Sequence, residues 1–185
     1  MLKTLIRIGA VAAAFFLPSF AHGQAMPTAT GAGGFQVGAG ASMGKPDFGE
    51  EYIAGISIFG DYNLTQHIGL EGDVHMLNLR TPFDQAENTY EVGPRFTFRH
   101  GRFVPYGKVM IGYGSFYVQE RQGNYNALVP DVSSFMYSVG GGVDITFRRH
   151  ITVRAFDLEY QKWPNFLRNG LSPVVGTVGV AYRFH

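Results

Sequence analysis

The sequence predicts an all-β fold, an eight-stranded antiparallel up-and-down transmembrane β-barrel, and three observations carry that prediction. From Gly34 onward apolar and polar residues alternate with a period of two, interrupted by Gly, Asn, Asp and Pro. The connections between the alternating runs are long, then short, in strict succession. Aromatic rings crowd both ends of the runs, where headgroup levels of a bilayer would lie. The chain has 185 residues, of which 45% are hydrophobic, 15% aromatic and only 16% charged. That length suits one domain, and the composition excludes a disordered chain or a coiled coil. Cys is absent, which removes disulfide scaffolds, thiolate metal sites and iron–sulfur ligation. A formal charge of +1 without a basic run argues against nucleic acid as a partner.

The first segment is read as an address. Lys3 and Arg7 precede an uncharged apolar stretch from Ile8 to Leu17, Pro18 ends it, and small residues follow at Ala21, Gly23 and Ala25. This is the layout of a secretory signal peptide over residues 1–25, with cleavage expected after Gly23 or Ala25. An apolar stretch of that length is about half of what a spanning helix needs. Its removal would turn the formal charge slightly negative. Residues 26–33 then form a short leader, and the barrel is expected over 34–185.

Strands are expected at 34–43, 51–63, 67–79, 89–99, 103–119, 134–147, 151–162 and 173–184. Three connections are tight: Leu64–Gln66, His100–Arg102 and Arg148–His150. The other four, around Gly44–Glu50, Arg80–Asn88, Glu120–Ser133 and Trp163–Ser172, are longer. Short turns at one end and long loops at the other are the asymmetry of outer-membrane barrels. In the second strand Ile56, Ile58, Tyr62 and Leu64 share a face opposite Ser57, Asp61 and Asn63, with Phe59 the exception. In the third, Ile68, Leu70, Val74 and Met76 oppose Glu71, Asp73 and His75. The fourth sets Tyr90, Val92, Phe96 and Phe98 against Glu91, Arg95 and Thr97. The fifth is less regular, with Val109, Ile111 and Tyr113 opposite Lys108, Met110, Gly112 and Gly114. The sixth opposes Tyr137, Val139, Val143 and Ile145 to Ser138, Gly140, Gly142, Asp144 and Thr146. In the seventh Arg154 has the opposite parity from Asp157 and Glu159, which suggests a bulge and leaves their facing open. The aromatic girdles are assigned to Tyr62, Phe98, Phe103, Phe147, Tyr182 and Phe184 near the turns, and to Tyr52, Tyr90, Tyr117, Phe135 and Trp163 near the loops.

The eighth strand places Val178, Val180, Tyr182 and Phe184 on one face and Thr177, Gly179 and Ala181 on the other. Thr177, Gly179, Tyr182 and Phe184 together resemble the C-terminal insertion signal of bacterial outer-membrane barrels, although His185 stands where a terminal aromatic is usual. Gly93-Pro94-Arg95-Phe96 followed by Val104-Pro105-Tyr106-Gly107 is similar to the central hairpin of barrel-only members of the OmpA-like family of small outer-membrane β-barrel proteins. The resemblance covers about residues 34–184. It implies an eight-stranded barrel in the cell outer membrane, with membrane lipid and the barrel-assembly machinery as partners.

The best candidate site is the charged set Asp61, Glu71, Asp73, Arg95, Lys108 and Asp144. These groups are expected to pair with one another across a narrow lumen, because buried charges are costly alone. They would either fill that lumen or form a gated polar path, and an eight-strand interior is normally filled. A lipid-modifying enzyme would need a His, a Ser and a carboxylate on the bilayer-facing rim. Only His75 with Ser57 or Ser115 could supply it, so no enzyme is expected. His67, His100 and His150 at the three tight turns read as solvated turn residues. Without paired-histidine spacing neither a metal site nor a cofactor is expected. The stretch from Gly38 to Pro46 has the wrong spacing for a phosphate loop. The expected role is structural or interactive, through the loops at 80–88, 120–133 and 163–172 facing an extracellular partner. A narrow pore for ions or small solutes is the alternative, and a soluble exported binding barrel, apolar inside, is a third.

Overall fold

The computed structural model describes residues 33–47, 52–80, 85–122, 125–128, 132–166 and 170–184. The segment expected to be a signal, 1–25, and all of the expected leader but Gly33 lie outside these residues, as does His185. The chain forms nine strands: β1 (Phe35–Lys45), β2 (Ile53–Asn63), β3 (Ile68–Arg80), β4 (Gln85–Thr97), β5 (Phe103–Gln122), β6 (Tyr125–Leu128), β7 (Val132–Arg148), β8 (Ile151–Lys162) and β9 (Val174–Phe184). Eight of them make one closed antiparallel barrel. Starting at β4, the hydrogen-bonded order runs through β3, β2, β1, β9, β8, β7 and β5, and the β4–β5 pairing closes the ring. First and last strands are joined along their whole length, from Phe35↔Phe184 to Lys45↔Val174. Closure leaves no open sheet edge, which is what a bilayer core demands of a β-structure.

The faces are sorted inside out relative to a water-soluble barrel. Ile58, Val92, Ile111, Val139, Leu158 and Val180 stand exposed on the outside, whereas Asp61, Glu71, Asp73, Arg95, Lys108 and Asp144 are buried in the centre. A soluble barrel would turn those apolar side chains inward, so that reading is excluded. The outward rings Phe98, Phe103, Phe147 and Tyr182 lie near the turns, and Tyr52, Tyr90 and Phe135 lie towards the loops. Trp163 departs from the expected girdle. It is fully buried and points into the barrel, where it covers Gly114. A Cβ on residue 114 would strike its ring, so the glycine makes the space that draws the indole inward.

Strand ends differ from expectation mainly on the loop side. β4 begins at Gln85, four residues early, because residues 85–88 pair with the outer part of β5 through Gln85↔Val118 and Asn88↔Ser115. β5 runs to Gln122 and folds back on β6 through Gln119↔Leu128 and Gln122↔Tyr125, inside the stretch expected to be a loop. Polar composition at 119–128 masked this hairpin, since a ribbon standing beyond the bilayer needs no apolar face. At 20 and 17 residues, β5 and β7 far exceed the roughly 9–11 residues that cross a bilayer. β1, β2 and β9 have 11 residues each, so the barrel wall stands higher on the β5–β7 side.

The parity conflict in β8 is resolved by a bulge. Arg154 pairs with Gly179 and Asp157 with Thr177, so a three-residue step on β8 faces a two-residue step on β9. The extra residue turns Arg154, Asp157 and Glu159 all inward. At the turn end, His67 Nδ1 lies 3.1 Å from the Thr97 carbonyl oxygen and His150 Nδ1 lies 3.1 Å from that of Arg183. Each of these turns is thus tied to a neighbouring strand. The sorting of faces predicts that Val139→Arg, which puts a charge in the lipid belt, lowers unfolding free energy by about 2–4 kcal/mol. Urea titration of vesicle-folded protein, read by the heat-sensitive gel mobility of the closed form, measures it.

Candidate functional site

Inward-facing positions of the strands build a continuous ionic core. Arg95 on β4 reaches Asp61 on β2 through Nη1, Glu71 on β3 at 2.9 Å and Asp144 on β7 at 2.7 Å. Lys108 on β5 holds four carboxylates with one ammonium: Glu71 at 3.0 Å, Asp73 at 3.2 Å, Asp157 at 2.9 Å and Glu159 at 3.0 Å. Arg154 on β8 donates from both terminal nitrogens to the two oxygens of Glu71, each at 3.1 Å, in a bidentate pair. Glu71 is therefore the hub that touches all three cations.

Aromatic side chains hold the guanidinium groups in plane. Arg95 lies 3.7 Å from the centre of the Tyr106 ring and Arg154 lies 3.6 Å from that of Phe59. Phe59, the exception to the polar face of β2, is thus the platform for Arg154. Gly38 on β1 provides its room, since a Cβ there would collide with the ring. Tyr106 Oη donates to Asp157 Oδ2 at 2.7 Å, the oxygen that Lys108 and Arg154 also contact, and Gln36 Nε2 donates to Asp61 Oδ2 at 2.7 Å.

Above this core, towards the loops, the lumen changes character. Trp163 packs edge-on against Phe166 with Phe116, Met136 and Leu171 around it, and Ile53, Leu77 and Val175 form a second apolar cluster. The indole Nε1 donates to Gln161 Oε1 at 3.2 Å, so the polar atom of the ring is satisfied. Between core and plug lie His75, Glu91, Thr89, Ser138 and Gln161, all buried, whereas buried Glu87 stands level with the apolar clusters, paired in register with Leu77 and Phe116. Glu91 accepts from Ser138 at 2.6 Å and from Gln161 at 3.1 Å.

The six residues singled out from sequence are thus brought together in one lumen. Arg154, Asp157 and Glu159 join them through the bulge, and Tyr106, Phe59 and Gln36 complete their shell. Tyr106 shares the inner face of β5 with Lys108, and the barrel's stagger puts its ring against Arg95. The chemistry weighed for an enzyme is not assembled. Ser57 and His75 face each other as a cross-strand pair, but Ser57 Oγ makes no hydrogen bond and both are sealed in the lumen rather than set on the lipid-facing rim. Ser115 pairs with Asn88 and Ser133, away from His75 in register. In the last strand Thr177 is buried and bonds to Ser42 at 2.8 Å, whereas Tyr182 and Phe184 are exposed on the outer face and pack edge-on.

A closed antiparallel barrel with a lipid-compatible outside and an ion-paired inside defines an outer-membrane barrel protein. The sequence matches the family described as outer membrane protein beta-barrel domain over residues 9–184, and the chain belongs to that family in the outer membrane. No curated protein sequence matches it. Among solved structures it is similar to neisserial surface protein A, with a TM-score of 0.60 and 16% identity over 80% of this chain and 95% of that one. The attachment invasion locus protein Ail of Yersinia pestis, solved also with the heparin analogue sucrose octasulfate, gives 0.56 and 16% over 83% and 99%. OprG of Pseudomonas aeruginosa gives 0.57 and 14% over 83% and 97%.

Removing the hub takes the bidentate partner from Arg154 and one carboxylate contact each from Arg95 and Lys108, and breaks the buried mesh where all three meet. Glu71→Ala is expected to cost about 3–5 kcal/mol of unfolding free energy. A companion Tyr182→Ala on the outer face should cost less, and the same urea titration compares them.

Proposed function

We propose that this protein is a non-conducting outer-membrane barrel whose outer loops and raised β5–β7 wall present an interaction surface, the filled lumen serving stability. The observation that carries the reading is the double obstruction of the lumen. An ionic core spans the middle from wall to wall, and an apolar plug around Trp163 lies above it towards the loops. A hydrated path for ions would need both to open, and opening the core would separate buried charges that compensate one another. The narrow-pore alternative has no comparable observation in its favour.

The loop sequences favour a neutral, hydrogen-bonding partner. Residues 120–133 and 163–172 are rich in Asn, Gln, Pro and aromatic side chains, and their charges, Glu120, Arg121, Asp131 and Arg168, balance without a basic cluster. Their composition therefore differs from what a polyanion would select, whatever Ail binds. Two further parts of the proposal concern assembly. Residues 1–25 direct export and are removed, and Tyr182 and Phe184 form the outward face by which the assembly machinery engages β9. What supports the latter is their exposure on the strand that closes against β1.

Planar-bilayer recording tests the closed lumen. Wild-type protein and Arg95→Ala are both expected to stay at the baseline, with Arg95→Ala less stable. Steady unitary currents from wild type would overturn the reading. For the surface role, cells producing the protein are expected to attach to immobilised glycoproteins more than cells producing a form with residues 120–133 replaced by a short Gly-Ser turn. Immobilised heparin serves as the polyanionic control. Equal attachment by two forms that fold equally well would count against those residues.

A further inference from the structure

The buried charge in the lumen is unbalanced. Among the described residues, eight buried carboxylates, Asp61, Glu71, Asp73, Glu87, Glu91, Asp144, Asp157 and Glu159, face three buried full cations, Arg95, Lys108 and Arg154. Lys108 reaches Asp73 at 3.2 Å and Glu159 at 3.0 Å, whereas Glu91, beside His75, and Glu87 above it have no Lys or Arg within 4 Å among the described residues. Here the hydrogen bonding is incomplete in a particular way. His75 Nδ1 is 3.3 Å from Thr89 Oγ1 and 3.9 Å from Glu91 Oε1, so that nitrogen is turned to the β4 wall. The other, Nε2, faces Asp73 Oδ1 at 3.4 Å, and this oxygen has no hydrogen-bond partner. Lys108 approaches Asp73 through the opposite oxygen, Oδ2. Ser57 Oγ, completely buried and directly across from His75 on β2, is also without a partner, as are both oxygens of Glu87.

We infer that Asp73, His75 and Glu159 bind a divalent transition-metal cation of the zinc class inside the lumen. Their ligand atoms lie within 4.8 Å of one another. Two ligands at tetrahedral zinc distances stand about 3.3 Å apart, close to the separation of Asp73 Oδ1 from His75 Nε2. The pair arises from local geometry, since Asp73 and His75 are two apart on β3 and so share its inner face. Glu159 approaches from β8 across the lumen. Thr89 and Glu91 supply the outer contacts that orient a ligating imidazole by its other nitrogen. Glu91 lies on the Nδ1 side of the ring, which fits a supporting place rather than a ligand, and Glu159 carries Gln161 on Oε1 at 3.2 Å and Lys108 on Oε2 at 3.0 Å. One imidazole with two carboxylates suits Zn2+ or Co2+ better than the all-oxygen shells of Ca2+ and Mg2+. A divalent ion would also offset the carboxylate surplus that Lys108 and Arg154 leave. Searching for paired histidines along the chain could not find such a site, because it uses one His and carboxylates from two strands.

The plug and core seal the position, so the metal has to be loaded as the barrel folds. The full chain is folded into detergent micelles with Co2+ or Zn2+ at slight excess, gel-filtered and assayed for metal, with chelator-treated protein as reference. The expected result is one ion per chain, tetrahedral Co2+ absorption bands, and a raised urea midpoint over the metal-free form. His75→Gln should lose the ion and the midpoint difference, while His100→Gln at a turn should retain both. Wild-type protein that folds but retains no metal would overturn the site, as would equal retention by His75→Gln. Should His75→Gln fail to fold, the wild-type spectrum still decides, because octahedral aquo-type Co2+ bands would overturn it.

Discussion

The constraint on which everything else rests is that a sheet in hydrocarbon has nowhere to place an unpaired backbone group. Eight strands must close, and closure at this number leaves an interior only as wide as the side chains that fill it. The cations that reside in the lumen are each held by several carboxylates in one mesh. Glu71 meets Arg95, Lys108 and Arg154 together, and the rings of Phe59 and Tyr106 hold two of those cations flat. Glycine at 38 and 114 is the counterpart of this crowding, since each leaves the volume that an inward aromatic occupies.

Charge is also sorted along the barrel axis. Arg102, Arg148 and Arg149 gather at the turn end, the middle is a mesh of both signs, Glu91 lies higher, and Glu87 stands level with the aromatic cap. Half-buried Arg99, just beyond the end of β4, is held below the ordinary guanidinium range by burial and by neighbouring Arg183 and Arg95. The cap and the mesh obstruct by different means, one by dispersion packing and one by mutual neutralisation. No single substitution removes both, and this is why a filled, closed interior is the reading that accounts for most of the molecule.

Much of this was legible in the chain itself. Alternation from Gly34, together with tight turns at 64–66, 100–102 and 148–150, already implies the eight-stranded ring and the inward facing of Asp61, Glu71, Asp73, Arg95, Lys108 and Asp144. What escaped depends on quantities that a one-dimensional pattern lacks. Trp163 looked like a girdle ring because its depth, not its direction, follows from position, and the vacancy at Gly114 sets the direction. Arg154 conflicted in parity with Asp157 until the pairing with β9 revealed the extra residue. The grouping of His75 with Glu159 comes from strand tilt, which lifts residues far apart in sequence to one level across the lumen. The β5–β6 ribbon was hidden because beyond the lipid its pattern is no longer under selection by hydrocarbon.

The seam between β1 and β9 has a consequence for the order of events in biogenesis. Every carboxylate contributed by β2 and β3 has a counter-ion only on β4, β5 or β8, and the ring meets itself only through β9. A nascent or half-inserted chain would therefore carry naked charge on what will become its interior, and must keep that side wet until the final strand arrives. Dehydration of the cavity and zipping of the seam then belong to one event, so a partly built cylinder has no resting place in the bilayer.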